Sequence, residues 1–280
     1  MQPLSPFIRR LYLVLFIVLF FAMLPAIIFY ADGWRYKTGD GFVRTGGVYI
    51  GVPYPDARVT MNGLEVGRSG FLDRSFYRGD LTPGAFTIRV EREGYRSWNR
   101  VLMVEEQLVT DARALLVPLE TPALRLVAAT STATQNASTT IRIVPRATLT
   151  AYATVFAATT TASSTIPVDE QEGVGLFLER GDLVARWIQK NSFPTSHFCE
   201  RPSVCTDAII LENTTEVTSA HFFRGGVVYA TPSGEIHFIE VDVRQTPIHM
   251  LIFSIPNPGI RIIDDALVVK SGTTFYEITL

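Results

Sequence analysis

Few residues in this chain could do acid–base or metal chemistry. Four histidines occur, His197, His221, His237 and His249, with two cysteines, Cys199 and Cys205. His197-Phe198-Cys199 followed by Cys205 brings possible metal ligands together, but the spacing fits neither the C-x₂₋₄-C pairs of zinc sites nor the C-x-x-C-H of haem attachment. A local disulfide closing the loop around Pro202 suits the two cysteines better, and its stabilisation is modest because the loop is short. Two free thiols are the alternative. His237 sits at a polar position of an alternating segment and is expected to be exposed. The run Asp169-Glu170-Gln171-Glu172 lacks the alternating oxygen ligands of a calcium loop and reads as a solvated loop. No G-x-S-x-G, H-E-x-x-H, P-loop or G-x-G-x-x-G run is present. The chain is therefore expected to have no catalytic residue, metal or cofactor. Carboxylate pairs brought together by folding are the one route to hydrolase chemistry left open.

The elements that must carry these groups begin with Leu11 to Tyr30, twenty residues without a charge. At about 1.5 Å per residue such a helix spans a hydrocarbon core of roughly 30 Å. Arg9 and Arg10 close it on one side, and Trp34 and Tyr36 on the other are the amphipathic aromatics expected at headgroup depth. Arginines on the short N-terminal side favour a cytoplasmic tail (1–10) and an extracytoplasmic body, although Arg35, Lys37 and Arg44 count against that orientation. A cleaved signal peptide is the rival, but the apolar run is longer than the usual 7–15 residues. Residues 31–45, rich in Gly and polar groups, read as a neck without regular structure.

Net charge is −2, and 46–119 carries nine Arg against nine Asp plus Glu, so no basic stripe points to nucleic acid. Over 46–119 the pattern is of short strands and turns. Asn62-Gly63 between ARVTM and LEV is a type I′ hairpin signal, because both central residues need positive φ. Leu81-Thr82-Pro83-Gly84 and Glu93-Gly94 are further turns. AFTIRVER (85–92) alternates with Phe86, Ile88 and Val90 on one face. Six or seven strands in this span, with no helical period, predict a small antiparallel β-sandwich.

With these turns in order, 46–119 resembles a PEGA domain. The matching residues are Pro55, Ala57, Val59, Asn62, Gly63, Pro83, Gly84, Gly94, Tyr95 and Trp98. Asp56 stands where the motif has glycine, and Gly67-Arg68-Ser69-Gly70 replaces its Gly-x-Thr-Pro. The wider layout is similar to single-span PEGA proteins of reduced-genome bacteria, including the Tyr30-Ala31-Asp32-Gly33 exit and a propeller-like C-terminal region. The resemblance implies a binding or scaffolding module rather than an enzyme.

Between Ala128 and Ile166, 26 of 39 residues are Ala, Ser or Thr. The segment 120–172 reads as a linker holding two strands, at 140–144 and 147–157, with flexible stretches at 130–139 and 159–165. Region 173–280 again reads as strands. A weak repeat of about forty residues, the blade length of many propellers, relates 222–241 to 262–280. The expected fold is mainly β: one N-terminal transmembrane helix, a small antiparallel β-sandwich, and a C-terminal antiparallel region resembling an incomplete propeller. The expected function is non-catalytic, a membrane-anchored binding or scaffold component of the cell envelope that docks a protein or glycan. An accessory or sensor subunit of a membrane complex and a tethered cell-wall hydrolase are the alternatives.

Overall fold

Apolar alternation and tight turns account for most of the architecture. The computed structural model describes residues 6–39, 41–70, 74–120, 123–128, 140–157, 166–190, 192–213, 216–244 and 247–279. The chain is mainly β, with one long N-terminal helix.

That helix, Pro6–Ala31, starts at a proline, which loses nothing at a first helical position. It therefore takes in Arg9 and Arg10 rather than leaving them in a tail. None of its residues is buried, and its length and apolarity suffice to cross a membrane. The neck is not irregular. Trp34–Lys37 and Gly41–Arg44 pair as an antiparallel hairpin. Gly39 and Gly41, at φ +108° and +74°, serve the reversal instead of breaking structure.

The sandwich has two layers. Leu64–Arg68, Arg58–Met61, Gly84–Glu91 and Trp98–Val104 form one sheet, and Ser75–Leu81, Gly46–Gly51 and Val109–Arg113 the other. One pair, Gly46–Gly51 with Val109–Arg113, is parallel, a departure from the all-antiparallel expectation that arises because the first and last strands are neighbours. Inward residues of both sheets, among them Ile50, Val59, Ile88, Val90, Trp98 and Leu102, are fully buried in one core.

The C-terminal region is a succession of sheets, antiparallel except where Thr140–Ile143 joins Ala123–Ala128 in parallel. The first contains Asp169–Gln171, Val174–Glu179, Asp182–Trp187 and Ala208–Glu212. The second contains Ser219–Phe223, Gly226–Ala230, Glu235–Glu240 and His249–Ser254. The third runs Gly259–Ile263, Ala266–Ser271, Thr274–Thr279 and then continues onto Ala123–Ala128 and Thr140–Ile143. The sheets stack face to face. Leu176 and Leu183 meet Val227 and Tyr229 in one seam; Val228 and Ile236 meet Ile260 and Leu267 in the next. The first strands of successive sheets touch.

Two expectations for 120–172 are corrected. Ala123–Ala128 belongs to the third sheet, with register Leu126↔Tyr276. Residues 147–157 form a helix, Arg146–Ala157, not a strand. Leu149, Tyr152 and Phe156 share one face at helical spacing, and the rings of Tyr152 and Phe156 lie 5.9 and 5.6 Å from that of Phe275. Two threonine hydroxyls are satisfied on the helix itself, Thr150 Oγ1 donating to Arg146 O and Thr154 Oγ1 to Thr150 O. The stretches expected to be flexible lie outside the described residues.

Candidate functional site

Each C-terminal sheet opens with a hairpin whose two turn residues have positive φ: Glu172-Gly173, Arg224-Gly225 and Asp264-Asp265. This is the type I′ geometry that matches strand twist. Because the sheets stack in register, these turns converge. Glu172, Arg224 and Asp265 line one cleft of about 560 Å³. Its apolar wall comes from Leu115, Val117 and Phe223, and Tyr54 of the sandwich closes a side. The volume is that of a small-molecule or short-segment site, and its place between the sandwich and the stack is where such sites concentrate.

The cleft lining is of mixed charge, with Arg113 and Arg224 against Glu172 and Asp265. The Arg224 guanidinium stands 5.3 Å from the Phe223 ring. The Tyr54 and Tyr95 rings lie 4.8 Å apart at a tilt of 43°, with the Arg92 guanidinium over both. Burial, then the hydrogen bond with Tyr95, raises the Tyr54 phenol above its ordinary value. His197 also lines the cleft, and burial holds its imidazole below the ordinary histidine value. The Thr195 hydroxyl beside it is shielded from solvent and has no hydrogen-bond partner among the described residues. The arrangement suits recognition: an apolar wall with a few polar groups aimed inward.

Polar struts hold the sheets at this spacing. Asp169, His221 and Arg261, one from the first strand of each sheet, form a relay. His221 Nδ1 is 3.3 Å from Asp169 Oδ2, and its Nε2 is 3.3 Å from Arg261 Nη1. Since arginine only donates, His221 Nε2 accepts and Nδ1–H faces the carboxylate. Burial works to raise the Asp169 carboxyl, but hydrogen bonds from His221 and the Phe222 N–H overcome it and hold it below its usual value. The acidic run is thus an edge strand rather than a solvated loop.

A second strut crosses the seam between the first and second sheets. Tyr229 Oη donates to Glu212 Oε2 at 2.9 Å and lies 2.8 Å from His249 Nε2. With its one proton given to Glu212, the hydroxyl must accept from His249, which fixes that ring's tautomer. Burial and Glu212 push the Tyr229 phenol far above its ordinary value. His237 stacks on Tyr229 at 5.2 Å between planes inclined by 13°. Only 18% of the His237 side chain is exposed, correcting the expectation of an exposed histidine. His237 pairs directly with Tyr229 and so faces the seam, where cross-strand rings cover it. Among the described residues, no group of three His, Cys, Asp or Glu side chains has the geometry to hold a metal ion.

A third contact joins the sandwich to the stack. Trp98 Nε1 donates to Glu240 Oε1 at 2.9 Å, Arg100 pairs with the other Glu240 oxygen, and Arg244 pairs with Asp242 at 2.8 Å. The four charged side chains are at most 5% exposed. Burial raises the Glu240 carboxyl against the opposing pull of Arg100.

Of the residues singled out from sequence, His197 and the end of the acidic run, Gln171 and Glu172, line the cleft, and the others fall around these contacts. Cys199 and Cys205 are disulfide-bonded across a small hairpin. That hairpin docks on the sandwich, Ser203 N and Oγ reaching Glu105 at 2.9 and 2.6 Å. Ala57 and Val59 are buried, and Asn62 and Gly63 take φ of +50° and +82°. Asp56 adopts φ +58°, the glycine-like conformation, and Ser69 braces the same turn through Tyr54 O and Ala57 N. Gly94 turns at φ +79° into Tyr95, Pro83 is exposed, and Gly84 opens the next strand. Pro55 is half-buried beside the turn at Asp56. Trp34 packs 5.7 Å from Phe29 under the Arg44 guanidinium, whereas Tyr36 is exposed. Arg224 and Asp265 do not stand out in the sequence, and Glu172 stands out only as part of the acidic run; the forty-residue repeat is the signal for the first two, since two of its turns are cleft residues. Comparison with protein-family models and with curated proteins found no match for this chain.

Proposed function

We propose that this is a single-pass, membrane-anchored protein with an extracytoplasmic body, acting as a non-catalytic binding component of the cell envelope through the cleft beneath the three turns. The cleft carries the reading: it is large enough for a ligand, its polar groups converge, and it sits on a rigid β framework tied to an exposed apolar helix. The PEGA-like reading of the sandwich accords with the left-handed backbone at Asp56, Asn62 and Gly94. The disulfide accords with an oxidising compartment. A mixed-charge rim with aromatic neighbours suits a polar, uncharged or zwitterionic partner, such as a glycan or a peptide segment.

Topology is tested by labelling. A cysteine introduced as Ser233→Cys, in a Cys199→Ser/Cys205→Ser background, lies in an exposed turn. A membrane-impermeant thiol reagent is expected to modify it on intact cells. Modification only after lysis, with the protein intact, would place the body in the cytoplasm and end this reading.

A further inference from the structure

The helix does not end in a tether. Thr45 N and Oγ1 both donate to Gly33 O at 3.0 Å, Gln107 Nε2 donates to Asp32 O at 2.9 Å, and Arg35 Nη1 donates to Tyr30 O at 2.8 Å. Arg35 also pairs with Asp80 at 2.8 Å, and Lys37 Nζ reaches Asp80 O at 3.0 Å. These bonds tie the two residues after the helix, and the hairpin that follows, to Thr45, Gln107 and Asp80 at the near end of the sandwich, and leave little slack between helix and sandwich. Leu11 to Ala31 is about 31 Å of helix, which consumes a hydrocarbon core of roughly 30 Å. The next residues must therefore lie in the headgroup layer, only about 5–8 Å thick on each side.

What surrounds the exit matches that layer. On the hairpin, Tyr36 and Phe42 pair ring to ring at 5.4 Å and are 71% and 67% exposed. Beside Ala31–Gly33, the sandwich contributes Tyr77, Leu108 and Val109, exposed and lining one groove with the helix end. Exposed apolar side chains clustered at one pole need a cover, and tyrosine is a residue that prefers the membrane interface.

We propose that Tyr36, Phe42, Tyr77, Leu108 and Val109 form a collar seated in the phospholipid headgroup layer of the bilayer that the helix crosses, fixing the attitude of the whole body. This rests on the membrane-span reading above. The collar differs from the anchors expected from sequence: Trp34 is turned onto the helix, and the sandwich itself takes part.

The test uses the full-length protein in phosphatidylcholine vesicles, with an environment-sensitive fluorophore on single cysteines in the cysteine-free background. Labels go at Tyr36→Cys, Tyr77→Cys and Val109→Cys, with Ser233→Cys as the remote control and Phe20→Cys as the mid-span control. Shallow spin-labelled lipid is expected to quench the three collar positions several-fold more than position 233, and deep spin-labelled lipid to quench position 20. If position 20 is unquenched, the span reading fails and the collar with it. Quenching at 20 but not at the collar overturns the collar alone. Collar labels shielded from aqueous iodide yet unquenched by lipid would mean that a protein covers this face, which also overturns it.

Discussion

The boundary between sandwich and stack and the seams within the stack are both polar contacts set in apolar surroundings, but their chemistry differs. At the boundary, Arg100 and Arg244 meet Glu240 and Asp242, a neutral set whose guanidinium charges do not titrate in the ordinary range. In the seams, the work falls to His221, Tyr229 and His249, whose bonding depends on which atom holds a proton. A buried ion pair adds little net stability over an apolar replacement, but it makes separation costly. The boundary is therefore a joint of opposite charges, and the seams are held by hydrogen bonds that depend on tautomer and hydroxyl orientation. The cleft draws walls from both.

Breaking the joint has the largest expected effect. Glu240→Gln leaves Arg100 buried with half its partner gone, and about 3–5 kcal/mol of stability should be lost in urea unfolding followed by Trp fluorescence. Arg100→Met combined with Glu240→Gln should recover part of that loss, because no cation is left unpaired and the amide oxygen still accepts from Trp98 Nε1. A cost below about 1 kcal/mol for the single change would mean the pair behaves as a solvated one. Next comes the docked hairpin: Cys199→Ser/Cys205→Ser should cost about 2 kcal/mol by the loop-entropy relation, with faster amide exchange over 199–205. A seam is weaker still. Tyr229→Phe removes the link from Glu212 to His249 and should cost about 1–2 kcal/mol.

The smallest effect is a pH dependence to which both regions contribute, His197 at the boundary, its carbonyl accepting from the Val243 N–H, and His249 in a seam. Burial holds the folded-state pKa of His197 and His249 below 6.5. The unfolded chain therefore takes up protons first as pH falls, so stability is full above 6.5 and declines on acidification below it. Glu240, held high by burial, contributes the opposite slope above 4.5. The comparison is consequently made by difference: His197→Gln should flatten the decline between pH 7 and about 5. An unchanged slope would show that His197 does not titrate differently in the folded chain.

Much of the framework was legible where the pattern was local. Phe86, Ile88 and Val90 announced their strand by alternation, and Asn62-Gly63 its turn by the need for positive φ. Signals failed where one composition suits two outcomes. Gly39 and Gly41 can break a chain or reverse it, and only pairing of Trp34 with Arg44 decides. The threonine-rich run at 147–157 has the β-branched residues of a strand, but Phe275 offered its ring to a face spaced at 149, 152 and 156. The cleft residues were illegible for a different reason. Glu-Gly, Arg-Gly and Asp-Asp turns are weaker type I′ signals than Asn-Gly, and their convergence depends on contacts between sheets.

The third sheet has a consequence for biosynthesis. Thr274–Thr279 sits between Ala266–Ser271 and Ala123–Ala128, so a strand made early must wait for one made about 150 residues later. At about 5–20 residues per second, that wait is roughly 7–30 s. Throughout it, Ala123–Ala128 and its parallel neighbour Thr140–Ile143 present open edges, the species that chaperones exist to shield. Nascent chains arrested between these two points should bind a holdase, and release should coincide with emergence of the strand at 274–279.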